Sequence, residues 1–161
     1  MTEAQDGPEP GAGLVNLAFV GTGLLVGTSV GAALLPDAFG LLHAVLSGVL
    51  FAVGTGAFLW AYALGVSRSR VDLVTISGLF FLAGETAPAS VRRPLRVAVA
   101  LEVVAVLVAA GVRPYTEAAF GILAPMFAMG LMGVWGGRHG SFPPRPPTSS
   151  RLPRAADPSA D

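Results

Sequence analysis

The sequence has no cysteine, and only 12% of its residues are charged. Without cysteine there are no disulfides, no thiol catalysis and no cysteine-ligated metals. About a quarter of the residues in a soluble domain are charged, so this chain has too few for an ordinary water-facing surface. Its hydrophobic fraction is 53% and its mean hydropathy is +0.67. This composition is typical of a protein whose solvent is a lipid bilayer.

Lysine is also absent, so all ten basic residues are arginine, and ten acidic residues balance them. The balance leaves no basic surface that would suggest nucleic acid as a partner. The chain contains no Ser-His-Asp, HExxH or P-loop pattern, so we expect no enzyme activity and no cofactor. The lack of lysine, together with abundant alanine, glycine, proline and valine, indicates a GC-rich bacterial genome.

Apolar runs divide the chain into four predicted membrane spans. A helix of about 20 apolar residues crosses a hydrocarbon core of roughly 30 Å, and the predicted spans cover about 12–35, 38–66, 94–112 and 117–136. The first run is a span rather than a signal peptide, because it lacks a positive n-region and is too long for an h-region. Residues 1–11, an acidic tail, and 137–161, a tail rich in arginine and proline, have compositions that predict disorder. The sequence thus predicts an all-α membrane protein with four transmembrane helices.

The connector between the second and third spans, residues 67–96, determines the predicted topology. Short loops rich in arginine stay in the cytoplasm, and the arginines at the two ends of this connector are Arg68, Arg70, Arg92, Arg93 and Arg96. The C-terminal tail adds four more arginines, whereas Arg113 alone falls on the other side. We therefore expect a multi-pass protein of the bacterial cytoplasmic (inner) membrane with both termini in the cytoplasm. The connector arginines either bind anionic lipid headgroups or simply set this topology.

Within the connector, residues 71–84 form a shorter apolar segment. As a helix, its length of about 21 Å is too short to cross the bilayer. Arginines flank it on both sides, so we expect an interfacial or re-entrant segment whose two ends lie on one face of the membrane. Asp72 is the predicted N-cap of its helix.

Small residues recur every four positions on the first two spans, and this spacing lets helix backbones approach closely in a bilayer. The residues are Gly23, Gly27 and Gly31 on the first span and Ala44, Gly48, Ala52 and Gly56 on the second. These faces either bind a second copy or another membrane protein, or they pack against each other within one chain. We favour packing within the chain, since consecutive antiparallel spans usually lie side by side.

Glu102 is the only carboxylate well inside a predicted span. A carboxylate at this depth is costly and by default suggests an ion or proton path. The alternative is a structural glutamate that is hydrogen-bonded across helices to Asn16, Ser29 or Ser47. The lack of a second charged partner at the same depth favours the structural alternative.

His43 and Pro125 are the two other candidates for an intramembrane function. The second histidine, His139, follows the fourth span on the opposite side, so the two histidines cannot bind a haem within one chain. We expect His43 to be a polar residue at the membrane interface. Pro125 interrupts the fourth span and frees a backbone carbonyl. Such breaks occur at transporter sites, but more often a proline only kinks a helix to fit its neighbours.

Two stretches of the second half of the chain carry a family resemblance. The first is ISGLFFLAG with the following AP and VRR, within residues 76–93, and the second is RPYTEAAFG with APMF and RHGSFPPR, within residues 113–145. They resemble a group of small, uncharacterised four-span membrane proteins of GC-rich actinobacterial type, and the similarity covers about residues 41–145. That group has no assigned activity, so the resemblance implies topology alone.

Two functions of different classes agree with these patterns. The first is a non-enzymatic structural or accessory membrane component that binds a partner. The second is a small transporter or channel subunit, in which Glu102 titrates and Pro125 provides flexibility. Both would have membrane lipids as partners, and the first would add another membrane protein or a second copy of the chain.

Overall fold

The structure is a computed structural model that describes residues 11–146. Its elements, in order, are α1 (Ala12–Leu34), α2 (Pro36–Arg68), α3 (Ile76–Phe81), α4 (Ala89–Val112), a 3-10 helix (Glu117–Leu123) and α5 (Met126–His139). Four stretches are long and apolar enough to cross a membrane, namely α1, α2, α4, and the 3-10 helix together with α5. This confirms the predicted fold class. Most of the two predicted disordered tails, residues 1–10 and 147–161, lies outside the described residues.

Two prolines lie where a helix begins or breaks, and a third lies inside a helix. Pro36 is the first residue of α2, a position where the missing N–H needs no intrahelical partner, so Leu35 alone separates α1 from α2. Pro94 lies inside α4, which begins five residues earlier than the predicted span, at Ala89. Pro125 separates the 3-10 helix from α5. The fourth spanning stretch is therefore interrupted at this proline.

The two ends of the bundle differ in charge. One end holds Arg68, α3 and the N-terminal turns of α4, and we call it the arginine-rich end. The other holds the α1–α2 connection, the C-terminus of α4 and the start of the 3-10 helix, and we call it the turn end. At the turn end, Arg113 Nε donates a hydrogen bond of 3.2 Å to the Ala33 carbonyl, which joins the end of α4 to the end of α1.

The centre of the bundle is the crossing of α2 and α5, whose backbones touch. A Cβ atom added at Gly130 would lie 2.4 Å from the Gly54 carbonyl oxygen, and one added at Gly54 would lie 2.5 Å from the Phe127 backbone nitrogen. Neither position accepts a larger residue unless a helix moves. Nearly every residue of α5 from Phe127 to Gly137 is buried. The helix after Pro125 is therefore the one around which the other spanning helices pack.

The small-residue faces pack α1 against α2 only at Gly31, so that prediction is wrong for most of the two faces. Gly23, Gly27, Gly48 and Gly56 face outward, with no atom within 4 Å of an added Cβ. Ala52 is exposed, and Ala44 is half-buried. Of the predicted positions on α1, only Gly31 meets a neighbour, the Phe39 ring. The reason is that α1 turns a different face inward, the face on which Gly21 admits the Phe127 ring.

The chain after α5 packs against the segment that follows α2. Arg68 bonds to Asp72 at 3.1 Å and donates to the Gly140 carbonyl at 2.9 Å. The Leu73 amide donates to the Pro143 carbonyl, and the Arg145 amide donates to the Val71 carbonyl, each at 2.8 Å. The prediction that the tail is disordered from residue 137 onward is therefore wrong for residues 137–146, which complete α5 and then pair with residues 71–73.

The predicted N-cap of the short segment is also wrong. Thr75 caps α3, because its hydroxyl accepts a hydrogen bond of 3.0 Å from the Gly78 amide, whereas Asp72 is used by Arg68. At the other end of α3, the Arg96 guanidinium donates to the Phe81 carbonyl at 2.8 and 2.9 Å. Arg92 donates to the Gly84 carbonyl. These two arginines thus hold the end of α3 in place, in addition to any role in topology or lipid binding.

Candidate functional site

The spanning helices bury a cluster of polar side chains. Five members are at most 3% exposed: Thr22 and Ser29 on α1, His43 and Ser47 on α2, and Glu102 on α4. A buried polar group left without a hydrogen bond costs about 1–3 kcal/mol. A cluster of such groups in so apolar a chain is therefore the most unusual chemical feature of its interior.

Helical spacing places these side chains on the inward faces. Thr22 and Ser29 are two turns apart on the stripe of α1 that also buries Ala18, Leu25 and Ala32. His43 and Ser47 are one turn apart on α2. Glu102 takes one position in the buried stripe of α4, which otherwise consists of Val91, Leu95, Ala98, Val106 and Ala109. Each polar residue thus occupies a position that would ordinarily be apolar core.

Glu102 is fully buried and has one clear hydrogen bond. The Thr22 hydroxyl donates to its Oε1 at 2.9 Å, while Oε2 has no hydrogen-bond partner within the described residues. The Ala128 backbone amide also faces this carboxyl, but it does not reach hydrogen-bond geometry with Oε2. The predicted structural partners were wrong, because Asn16 is exposed and the hydroxyls of Ser29 and Ser47 remain unpaired.

His43 is fully buried, so the prediction of an interfacial histidine is wrong. Its Nδ1 lies 3.3 Å from the Thr28 hydroxyl, which itself donates to the Leu24 carbonyl at 2.9 Å. We therefore assign Nδ1 as the donor to Thr28. The other ring nitrogen, Nε2, has no hydrogen-bond partner within the described residues, although the Ala118 carbonyl also faces the imidazole. The ring fits because residue 121 is glycine: a Cβ there would lie 2.6 Å from Nε2.

The depth of each group follows from its distance along its helix. Glu102 lies ten residues before the end of α4 at Val112, or about 15 Å below the turn end at 1.5 Å per residue. His43 lies seven residues after the start of α2, or about 10 Å below the same end. Glu102 is therefore near the middle of a hydrocarbon core of roughly 30 Å, with His43 between it and the turn end.

Four atoms of the cluster have no hydrogen-bond partner within residues 11–146: Ser29 Oγ, His43 Nε2, Ser47 Oγ and Glu102 Oε2. Buried polar atoms are almost always paired, with protein or with ordered water. Unpaired atoms at neighbouring depths are the surroundings in which a buried water forms its usual three or so hydrogen bonds. The cluster is therefore suited to hold water or to pass protons.

Between Glu102 and the arginine-rich end, the interior is mostly apolar. It is filled by apolar side chains such as Leu50, Ala98, Phe127 and Leu131. Among the described residues, its buried polar groups include the hydroxyl of Thr55 on α2, the hydroxyl of Thr86 before α4 and the indole of Trp135 near the end of α5. The polar cluster is thus confined to the half of the bundle nearer the turn end.

The two histidines do not meet. His139 lies at the arginine-rich end, where its ring centroid is 5.6 Å from that of Trp135, while His43 belongs to the other half of the bundle. Within residues 11–146, no three His, Asp or Glu side chains come together as a metal site would require. Pro125 is buried between Ala124 and the start of α5, and it contributes no side-chain polar group.

Sequence reasoning missed Thr22, Thr28 and Gly121. The seven-residue spacing of Thr22 and Ser29 was a usable signal, since it places both hydroxyls on one face of α1. No local signal indicated Gly121, because its importance depends on a ring that approaches from another helix.

No protein family, curated protein or solved structure matches this chain. The class of the protein therefore follows from its fold. Four long apolar helices around a buried polar cluster are compatible with a multi-pass membrane protein.

Proposed function

We propose that this chain is a multi-pass protein of a bacterial cytoplasmic membrane, with both termini in the cytoplasm, that binds another membrane chain and catalyses no reaction. The observation that carries the proposal is the outward position of the small-residue faces on α1 and α2. The arginines of the connector and tail support the orientation. Exposed Arg70 and Arg93 are suited to anionic lipid headgroups. The resemblance to four-span proteins of actinobacterial type agrees with the proposed location.

Glycine at an outward position of a helix is not explained by the fold of one chain. Each glycine in a helix is destabilising by roughly 0.5–1 kcal/mol relative to alanine. Four of them, Gly23, Gly27, Gly48 and Gly56, have open space beside them, so no intramolecular contact compensates for that loss. In a bilayer, small residues at such spacing allow the backbone of a second helix to approach closely. A partner helix against the outward glycines of α1 or of α2 would provide the missing compensation.

The test is to place larger side chains at the outward glycine positions without disturbing the packing of the bundle. Gly27→Leu and Gly48→Leu have room for the new side chain, so we expect an unchanged melting temperature in mild detergent. Recovery of the partner, or of the dimer, from gently solubilised membranes should fall by about tenfold or more, which corresponds to about 1.4 kcal/mol of lost affinity.

The matched control for this test is Val53→Leu, which is exposed on α2 but is turned away from Gly48 by the helical spacing. It should leave recovery unchanged. Recovery that is equally high for the glycine variants would exclude these faces as the binding surface. Mass spectrometry of the recovered complex distinguishes a second copy from a different membrane protein.

The polar cluster favours a second function. In it, the chain is a small transporter or channel subunit with Glu102 as the titrating group. Intramembrane carboxylates typically face the bundle interior and mark ion or proton pathways. Glu102 meets that description, since it is fully buried near the middle of α4 and keeps an unpaired oxygen.

Two substitutions separate this function from a structural role. Glu102→Gln keeps a hydrogen-bonding side chain but cannot release a proton, so a pH-dependent flux into proteoliposomes should disappear while the protein stays folded. Glu102→Asp keeps the carboxyl and should retain part of the flux. If Glu102→Gln leaves both flux and stability nearly unchanged, Glu102 is structural and this second function is wrong.

A further inference from the structure

We propose that Glu102 exchanges protons with one side of the membrane only, the side of the turn end, through His43 and the buried hydroxyls and water around it. This inference rests on the second function above, in which Glu102 titrates, and it adds a route and a direction. The transfer changes no other bond: a proton from water at the turn end passes to His43, and from there through hydroxyl and water to the Glu102 carboxylate.

The route begins at Glu117, in the first turn of the 3-10 helix. This residue is exposed, and its Oε2 would lie 3.4 Å from a Cβ added at Gly40 on α2. His43 follows Gly40 by three residues, which places it on the same side of α2 about one turn further in. Glu117 and Gly40 therefore mark the entrance of the route, one helical turn from His43.

His43 is the second step because both sides of its ring face hydrogen-bonding groups. Nδ1 contacts Thr28 at 3.3 Å, and the unpaired Nε2 faces the 3-10 helix at Gly121. Because Nδ1 already carries the hydrogen donated to Thr28, Nε2 is the atom that accepts a proton from water at the entrance and then releases it to water on the Glu102 side. The buried position excludes bulk water and leaves the ring as the link between the entrance and the interior.

The third step leads from His43 on α2 to Glu102 on α4. His43 Nε2 and Val106 Cγ1 both lie close to Gly121, at 2.6 and 3.2 Å from an added Cβ. Val106 is one turn from Glu102 on α4, a rise of about 6 Å. The unpaired hydroxyl of Ser47 lies one turn further in than His43 on α2. One or two waters paired with Ser47 Oγ, His43 Nε2 and Glu102 Oε2 would satisfy all three atoms and connect them.

The direction follows from what surrounds the cluster. The charged groups at the turn end are Asp37, Arg113 and Glu117, and Arg113 is held by the Ala33 carbonyl. Within the described residues, His43 is the one titratable group between these charges and Glu102. None of the neighbouring elements, α1, α2, the 3-10 helix and α5, adds another. Toward the arginine-rich end, the packing of Leu50, Ala98, Phe127 and Leu131 is apolar, and within residues 11–146 the polar cluster does not continue into it. A proton on Glu102 therefore leaves by the route through which it entered.

The test uses the full chain in proteoliposomes of one orientation and protons as the probe. Infrared difference spectroscopy after a pH jump follows the carboxyl band of Glu102, which is assigned by its loss in Glu102→Gln. A jump on the turn side should change this band, and a jump on the arginine-rich side should not. His43→Phe should slow the response on the order of tenfold or more, because a positioned acid–base group contributes at least that much to proton transfer.

Two control variants show whether a slower response is due to the loss of the His43 imidazole. His43→Gln preserves hydrogen bonding and tests the shuttle if His43→Phe fails to fold. His139→Gln removes the other histidine, which is exposed at the opposite end, and should leave the rate unchanged. A band that responds equally from both sides, or that keeps its rate in His43→Gln, would overturn the proposed route while leaving Glu102 as a titrating group. A band that responds to pH from neither side would remove the second function itself.

Discussion

Gly121 shows how one residue controls the polar cluster. The 3-10 helix runs against His43 with so little space that a Cβ at residue 121 would lie 2.6 Å from Nε2 and 3.1 Å from Cε1 of the imidazole. The glycine does not serve an unusual backbone conformation here, since its φ angle is not positive. It serves the close approach of a ring from another helix.

We therefore expect Gly121→Ala to destabilise the protein by about 1–3 kcal/mol, the usual range for overpacking a core. The measurement is thermal unfolding in mild detergent, followed by circular dichroism. Gly111→Ala is the matched control, since Gly111 lies in α4 with open space beside it, and it should be neutral or stabilising by up to about 1 kcal/mol.

A double variant checks the cause of this effect. If the clash with His43 is responsible, His43→Ala combined with Gly121→Ala should lose less stability than the sum of the two single changes. Strictly additive losses would show that the alanine disturbs the 3-10 helix itself and not its contact with the histidine.

At the scale of elements, hydropathy predicted the spanning helices well because length and apolar content are local properties. The face that each helix turns inward was much harder to predict. In a bilayer the outside of a helix is as apolar as the inside, so the periodicity that marks the core face of a soluble helix is weak. The glycine stripes of α1 and α2 satisfied the packing pattern but lie outward, while the inward faces depend on contacts with α4 and α5.

The ends of the elements were missed for a different reason. The composition of residues 137–146 favours disorder, yet they are ordered by hydrogen bonds to residues 71–73 and by Arg68, which also lies over the Phe142 ring at 5.1 Å. These partners are about 70 residues away in sequence. No local pattern identifies such a pairing, just as none identified Thr22 as the partner of Glu102, 80 residues away.

At the scale of the whole molecule, the structure places the ends of α3 together with Arg68, Arg92 and Arg96 at one end of the bundle, and Tyr115 and Glu117 at the other. The even number of spanning helices keeps the start of α1 and the end of α5 at the arginine-rich end. The orientation relative to the membrane then has two solutions, and the distribution of arginine favours the one with this end in the cytoplasm.

The absence of cysteine makes this orientation directly measurable, because any introduced thiol is the only one. Ile76→Cys, at a residue of α3 that is 72% exposed, and Tyr115→Cys, at a fully exposed residue, provide one site at each end. In intact cells, a membrane-impermeant thiol reagent should label Tyr115→Cys and should leave Ile76→Cys unlabelled until the membrane is permeabilised. Labelling of Ile76→Cys alone would show that the topology is inverted, and the turn end, from which His43 is reached, would then face the cytoplasm. Labelling of both sites in intact cells would contradict the even number of spans.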